Sequence, residues 1–182
     1  MAKLIEKIYG DALFDLSLER NNVDEVYEEV KALIVVLDEN EDFKKFLNHP
    51  KISREEKEAF LEKTFKGRIL DDTLGFLKQL VVKDRQGAMR ACLEYYIARV
   101  KEYKKIGVCY VTTAVELNED QKKKLVDKLL ETSKYTSFEM NYAVDNSLIG
   151  GMVIRINDRV VDSTVKSKIN NLTRELYDIQ LA

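Results

Sequence analysis

Tryptophan is missing from this sequence, and proline and histidine occur once each in 182 residues. A lone proline, Pro50, leaves long stretches free to be helical, because proline removes a backbone donor and breaks helix interiors. It also excludes collagen-like and proline-rich disordered chains. The two cysteines, Cys92 and Cys109, fall on different predicted elements, with no CxxC spacing and no Cys/His neighbour. That excludes a disulfide scaffold, argues against a zinc site and suits a reducing compartment. No apolar run approaches the roughly 18 residues of a membrane span. The opening MAKLIEKIYGDALFDL has acids among its apolar positions, where a signal peptide has an unbroken apolar core. An excess of either charge is lacking too: 30 Lys and Arg face 32 Asp and Glu, a net charge of -2. Nothing in that balance points to nucleic acid.

What is present is a soluble, helix-leaning composition, 45% hydrophobic and 34% charged. A chain of this length buries roughly 70% of its unfolded surface, enough for a core without staples. Residues 1–104 read as helices only. Ile5, Ile8, Tyr9, Ala12, Leu13 and Leu16 recur at three- and four-residue spacing and make the main stripe of a first helix. Asn22 with Glu25 resembles a capping box before a second helix, and Ser53 with Glu56 a box before a fourth. The third helix ends at His49-Pro50. Asp71 and Asp72 are read as caps of a fifth helix, and a sixth follows Gly87.

The texture changes at residue 105. Ile106 to Val115 is β-branched and aromatic and predicts a strand, and Asn118 with Gln121 caps a helix behind it. Phe138, Met140, Tyr142 and Val144 alternate with smaller or polar residues, as in a half-buried strand. Ile149 to Ile156 reads as another strand, Asn157-Asp158 as a turn, and Arg159 to Val161 as a short return. Ser163 is expected to cap a last helix, on which Val165, Ile169, Leu172, Leu176 and Ile179 form a 4-3-4-3 seam that packs on its own sheet. The predicted fold is mainly α: a six-helix bundle, 1–104, followed by a small α/β domain, 105–182.

Residue patterns that carry catalytic chemistry are scarce. None of the seven glycines opens a phosphate-binding G-x-x-x-x-G-K-[ST] loop. His49 lacks a nucleophile or second ligand at recognisable spacing and reads as a cap or surface group. The sequon Asn171-Leu172-Thr173 falls within a helix and is read as chance. No cofactor and no metal are expected.

Charge is laid out unevenly. Glu6 to Asp42 carries a net of -9, and Phe43 to Lys104 a net of +6. The simpler account is a bundle that neutralises itself across a solvated surface. The functional account is an acidic face that steers a basic partner segment. On helix one, Leu4, Phe14 and Leu18 fall roughly opposite the main stripe, so that helix is either central in its bundle or offers a groove to a partner helix. Phe76 on helix five is off its own stripe in the same way.

More specific is the run Asp145-Asn146-Ser147-Leu148-Ile149-Gly150-Gly151-Met152-Val153-Ile154-Arg155-Ile156-Asn157, followed by Asp162-Ser163-Thr164-Val165. It resembles the signature of the delta subunit of F-type ATP synthases, whose mitochondrial equivalent is the oligomycin-sensitivity-conferring protein. The opening Tyr9-Gly10-Asp11-Ala12-Leu13-Phe14 is similar to that family's Tyr-Ala-x-Ala-Leu-aromatic start, with Gly10 in place of the usual alanine. Arg85 falls where the family often has arginine. The resemblance covers essentially the whole chain.

That resemblance implies a non-catalytic stator subunit on the catalytic head, one copy per complex, peripheral to the cytoplasmic face of a bacterial plasma membrane and not inserted into it. It implies that the first domain receives N-terminal segments of the alpha subunits, chiefly between helices one and five. The second domain would hold the C-terminal end of the b subunit. Tyr9, Ala12, Leu13 and Phe14 carry over as motif positions near the alpha-binding groove; Leu4, Leu18 and Phe76 join them on the off-stripe argument. Asp145, Gly150, Gly151, Asp162 and Ser163 are expected to be structural, with the glycines bending a strand or admitting the last helix. Two rival classes stay open: a small enzyme with its site between the domains, and a free helical adaptor.

Overall fold

The computed structural model describes residues 2–157 and 159–180, with side chains described for 4–157 and 159–173. The chain forms two compact units, Met1–Lys101 and Glu102–Ala182. Six α-helices come first: α1 (Ala2–Glu19), α2 (Val23–Glu39), α3 (Glu41–Asn48), α4 (Arg54–Phe65), α5 (Asp71–Val82) and α6 (Met89–Tyr103). All six contribute to one apolar core, in which Val30, Leu61, Leu80, Cys92, Leu93, Tyr96 and Val100 are fully enclosed. Each such leucine or valine stabilises the fold by about 1.5–3 kcal/mol relative to exposure.

Local chemistry explains most helix ends. Ser53 caps α4 with both hydrogen bonds of the predicted box, from Glu56 N–H to the serine oxygen and from Ser53 N–H to the Glu56 carboxylate. α3 stops at Asn48 with His49 extended before Pro50, as expected of a residue preceding proline. Two expected caps are corrected. Asn22 precedes α2 but makes no side-chain cap bond, and its Oδ1 is buried without a partner. The preceding Asn21 sits at φ 54°, so the chain enters α2 through a left-handed turn. Asp71 and Asp72 lie inside the first turn of α5, whose N-cap is Leu70. There they meet the positive end of the helix dipole.

The uneven charge is partly neutralised within the first unit. Arg90 of α6 grips Asp38 of α2 through two nitrogens, at 2.8 and 3.0 Å. Arg99 of α6 approaches Asp11 of α1 at 3.5 Å, and Arg20, just past α1, approaches Asp72 of α5 at 3.5 Å. These are exposed or half-exposed pairs, which solvent and salt screen strongly.

The second unit adds β1 (Ile106–Thr113), α7 (Glu119–Thr132), β2 (Ser137–Val144), β3 (Met152–Ile156), β4 (Arg159–Asp162) and α8 (Val165–Gln180). The sheet order is β2-β1-β3-β4, with β1 and β2 parallel across the α7 crossover and the other pairs antiparallel. Asn118 and Gln121 form the predicted capping box of α7, at 2.8 and 3.0 Å. Register places Cys109, Val111, Met140, Tyr142, Ile154, Ile156 and Val161 on one face.

Three expectations for this unit change. β3 begins at Met152 and not at Ile149, because residues 146–148 form a 3-10 turn and Ile149 takes φ 65°. On β2 only Phe138 and Met140 are half-buried, while Tyr142 and Val144 are exposed. The described part of the α8 seam, Val165, Ile169 and Leu172, is 39–59% exposed and so is not buried against the sheet. The side chains of Leu176 and Ile179, and residue Asp158 of the expected turn, lie outside the described residues.

Candidate partner-binding surfaces

The buried side of α1 lies between the two faces read from periodicity, taking Leu13 from one and Phe14 from the other. Gly10, Leu13, Phe14 and Ser17 make its buried side. Phe14, 4% exposed, packs its ring 6.5 Å from that of Tyr96 and lies under the Arg99 guanidinium at 5.4 Å. Leu13 and Phe14 are therefore core residues of the first unit. Ile8, assigned by spacing to the main stripe, is 57% exposed. A small-residue line, Gly10 and Ser17 one seven-residue step apart, is the signal that the sequence offered for the buried side. Gly10 is there because a β-carbon would run into the ring of Tyr95 on α6.

Two contacts orient the helix. Asp11 and Phe14 face α6, through Tyr95, Arg99 and Tyr96. Arg20 faces α5 through Asp72. At about 100° per residue, Ile5, Tyr9, Ala12 and Leu16 fall toward the Arg20 side, and Ile8 beside them. On α5, Phe76 stands one turn after Asp72 and so faces α1, while Gly75 opens onto free space. By this geometry Tyr9 and Ala12 lie on the α5 flank of α1 and Phe76 on the α1 side of α5, with Ile8 exposed on the outer surface of α1. Leu4, 61% exposed, and half-buried Leu18 fall toward the α6 flank instead.

In the second unit the motif residues tie a loop to a helix start. Gly151 takes φ 83°, and a β-carbon there would lie 2.5 Å from the Ser163 carbonyl oxygen and 2.8 Å from Thr164 Cα. The glycine is needed both for its backbone angle and for this close approach. Val165 N–H donates to Gly150 O at 2.9 Å, and Ser163 donates from its amide and its hydroxyl to Met152 O. Ser163 is not the helix cap. Thr164, 1% exposed, accepts from Ser167 N–H at 3.2 Å. Asp162 accepts from Thr164 N–H at 2.8 Å and from the Ser167 hydroxyl at 2.6 Å. The Ser167 hydroxyl first, and the Thr164 amide after it, hold the Asp162 carboxyl below its ordinary range. Asp145 does similar work at the other end of the loop, accepting from Ser147 N–H at 2.9 Å, and its carboxyl is lowered by that amide.

A groove of about 720 Å³ lies between α7 and the β3–β4 margin of the sheet. Sequence reading did not find it, since its walls come from three elements with no shared motif.

Neither cysteine is activated. Both are fully buried, and burial pushes the Cys92 thiol up to about 11 and raises that of Cys109. His49 is exposed and accepts the Lys51 amide at 3.2 Å. Among the described residues no cluster of His, Cys, Asp or Glu has a metal-binding arrangement, and no helix is long and apolar enough to cross a membrane.

Comparison with known proteins agrees with the resemblance. Residues 5–176 match the family described as ATP synthase delta (OSCP) subunit. ATP synthase subunit delta of Lachnoclostridium phytofermentans is 54% identical over 181 residues, the full length of both chains. The protein of the same name from Acetivibrio thermocellus is 31% identical, covering 92% of this chain and 94% of its own. A chain in the cryo-EM structure of the Toxoplasma gondii mitochondrial ATP synthase hexamer shares the fold, with a TM-score of 0.72 at 20% identity over 94% of this chain and 97% of that one. This chain belongs to the ATP synthase delta (OSCP) subunit family, a structural component of the ATP synthase complex and not one of its catalytic subunits.

Proposed function

We propose that this chain is the stator clamp of an F-type ATP synthase, joining N-terminal segments of the alpha subunits to the C-terminal end of the b-subunit stalk. Rotation of the central shaft exerts torque on the catalytic head, and a clamp that holds the head must be stiff. Six helices round one close-packed core meet that need, since packed interiors yield little under load. On this reading residues 1–104 form the head-binding six-helix bundle and residues 105–182 hold the stalk. One copy acts per complex, peripheral to the cytoplasmic face of the bacterial plasma membrane.

The observation that carries the reading is the apolar surface on the α5 side of α1: Ile8 is 57% exposed, Ala12 is exposed, and Tyr9 and Phe76 are half-buried. An amphipathic helix laid there would cover this apolar line at i, i+3 and i+4 positions. Asp15 and Glu19 flank it on the open side of α1, which favours a basic partner helix.

Calorimetric titration of the full chain with a peptide from the N-terminus of its own alpha subunit tests this. Saturable one-to-one binding is expected, weakened about tenfold or more by Ile8→Asp, with the melting curve unchanged because Ile8 is a surface residue. Absence of binding would remove the alpha-subunit partner. Binding indifferent to Ile8→Asp would move it off this surface.

A further inference from the structure

The groove of the second unit has a definite chemistry. Its floor is apolar, with Leu125 and Leu129 from α7, Ile154 and Ile156 from β3, and Val161 from β4. Register sets Ile154 opposite Val161 and places both on the face that carries Cys109 and Val111. At β1 that face is closed, with Cys109 at 0% and Val111 at 1% exposure. At β4 it is open, and Val161 is 60% exposed. Among the described residues the sheet's apolar face is thus only partly covered.

The rim is cationic. Lys128 and Lys134 stand at the α7 side and Arg159 at the β4 side, all exposed. No carboxylate is among the described residues that line the groove. A trough with a helix for one wall and a sheet for its floor takes a second helix alongside the first, at the usual 8–10 Å between axes. The apolar floor asks for an apolar stripe on that helix, and the rim asks for acids at its margins.

We infer that this groove seats an acidic amphipathic helix, one whose apolar stripe is bordered by carboxylates, at the end of the peripheral stalk. The inference rests on the reading of residues 105–182 as the stalk-binding domain and adds to it a location and a partner chemistry. The seam of α8 from a second copy is a poor occupant. Lys166 and Lys168 flank Val165 and Ile169 there, and like charges would meet across the rim.

The test is calorimetry of the full chain with a peptide of the last residues of the b subunit from the same source, at about 50 and about 300 mM salt. Wild type is expected to bind, more weakly at high salt. Lys128→Glu with Arg159→Glu should weaken binding about tenfold or more at low salt and flatten the salt dependence. Leu129→Asp should weaken it at both salts, and Val35→Asp at an exposed position of α2 should leave it unchanged. The two charge reversals lie at exposed positions, and circular dichroism checks that each variant is folded. Equal binding by the charge-reversed variant overturns the groove and its acidic occupant while leaving the stalk reading in place. Failure of the wild type to bind the peptide overturns the stalk reading and the groove with it. If anionic vesicles bind the wild type in the peptide's stead, and the same reversals abolish this, the groove belongs to a lipid surface and the inference is wrong.

Discussion

Glu29 of α2 caps a helix to which it does not belong. Its carboxylate accepts the Thr73 hydroxyl and the Leu70 amide at 2.7 Å each, across 44 and 41 positions of sequence. Both donors sit at the N-terminus of α5, where amides lack partners within the helix and the dipole favours a negative charge. Thr73 is fully buried, so loss of the acceptor leaves its hydroxyl without a partner inside the core.

Glu29→Ala is accordingly expected to cost about 1–3 kcal/mol, the range for orphaning a buried donor together with a lost cap. Glu29→Gln, which keeps one acceptor oxygen, should cost less. Urea unfolding of the three chains measures both. Equal midpoints for wild type and Glu29→Ala would mean that α5 draws nothing from this cap.

Gly10 and Tyr95 make a second prediction. Alanine in a helix interior is ordinarily favoured over glycine by about 1 kcal/mol. Here the added β-carbon would press into the Tyr95 ring, and overpacking costs about 1–3 kcal/mol. Gly10→Ala should therefore be neutral or destabilising by about 1 kcal/mol, and the same change in a Tyr95→Ala background should be stabilising. A double-mutant cycle on thermal midpoints reads the difference. A plain gain in the single variant would show that Tyr95 moves freely aside.

These sites show what was legible in the sequence and what was not. The boxes Ser53–Glu56 and Asn118–Gln121 were legible because both partners lie within one turn and no other element intervenes. Asn22–Glu25 has the same spelling, yet Asn21 enters the left-handed region and the cap bond is not made. The Glu29 cap leaves no local trace, since its donors are more than forty positions away. α1 is apolar on two sides, so periodicity alone had no means to choose the inner one. Gly10 and Ser17, small residues that let α1 approach its neighbours, decided it against the larger Ile8. Of the α1 residues that the resemblance carried over, Leu13 and Phe14 are buried in the core, while Tyr9 is half-buried and Ala12 exposed.

Thr164, and not Ser163, is the residue on which α8 starts. Thr164→Ala removes the acceptor of Ser167 N–H and should cost about 1 kcal/mol, within the usual 0.5–2 for a lost cap. Ser163→Ala removes one hydroxyl from an exposed position while its amide still donates to Met152 O, and should cost less. Reversal of that order in paired melts would return the cap to Ser163.

Acid stability follows from the same junction. The Asp162 carboxyl is held below its ordinary value by the Ser167 hydroxyl, so its charged form is favoured in the folded state. A depressed carboxylate stabilises the fold at pH above its unfolded-state value, about 3.9, and that contribution fades as pH falls toward the lower folded-state value. Asp162→Asn should lower the melting midpoint by a constant amount above about pH 5, and the gap to wild type should narrow below about pH 4. A gap that widened on acidification would reverse the sign and with it the assignment of Ser167 as donor to a carboxylate.

The cysteines report on the two units one by one. Cys92 lies in the core of the first and Cys109 in an inner strand of the second, each fully buried. With the Cys92 thiol pushed up to about 11 and that of Cys109 also raised, hardly any thiolate exists at neutral pH. Reaction with a thiol reagent then requires opening of the surrounding structure, and its rate measures the stability of that structure. In native buffer both cysteines should resist labelling, and in a urea series each should become reactive as its own unit unfolds, read by mass spectrometry of the peptides. Fast labelling of Cys92 in native buffer would show that the first unit opens readily, and a bundle that does so would be a poor clamp against torque.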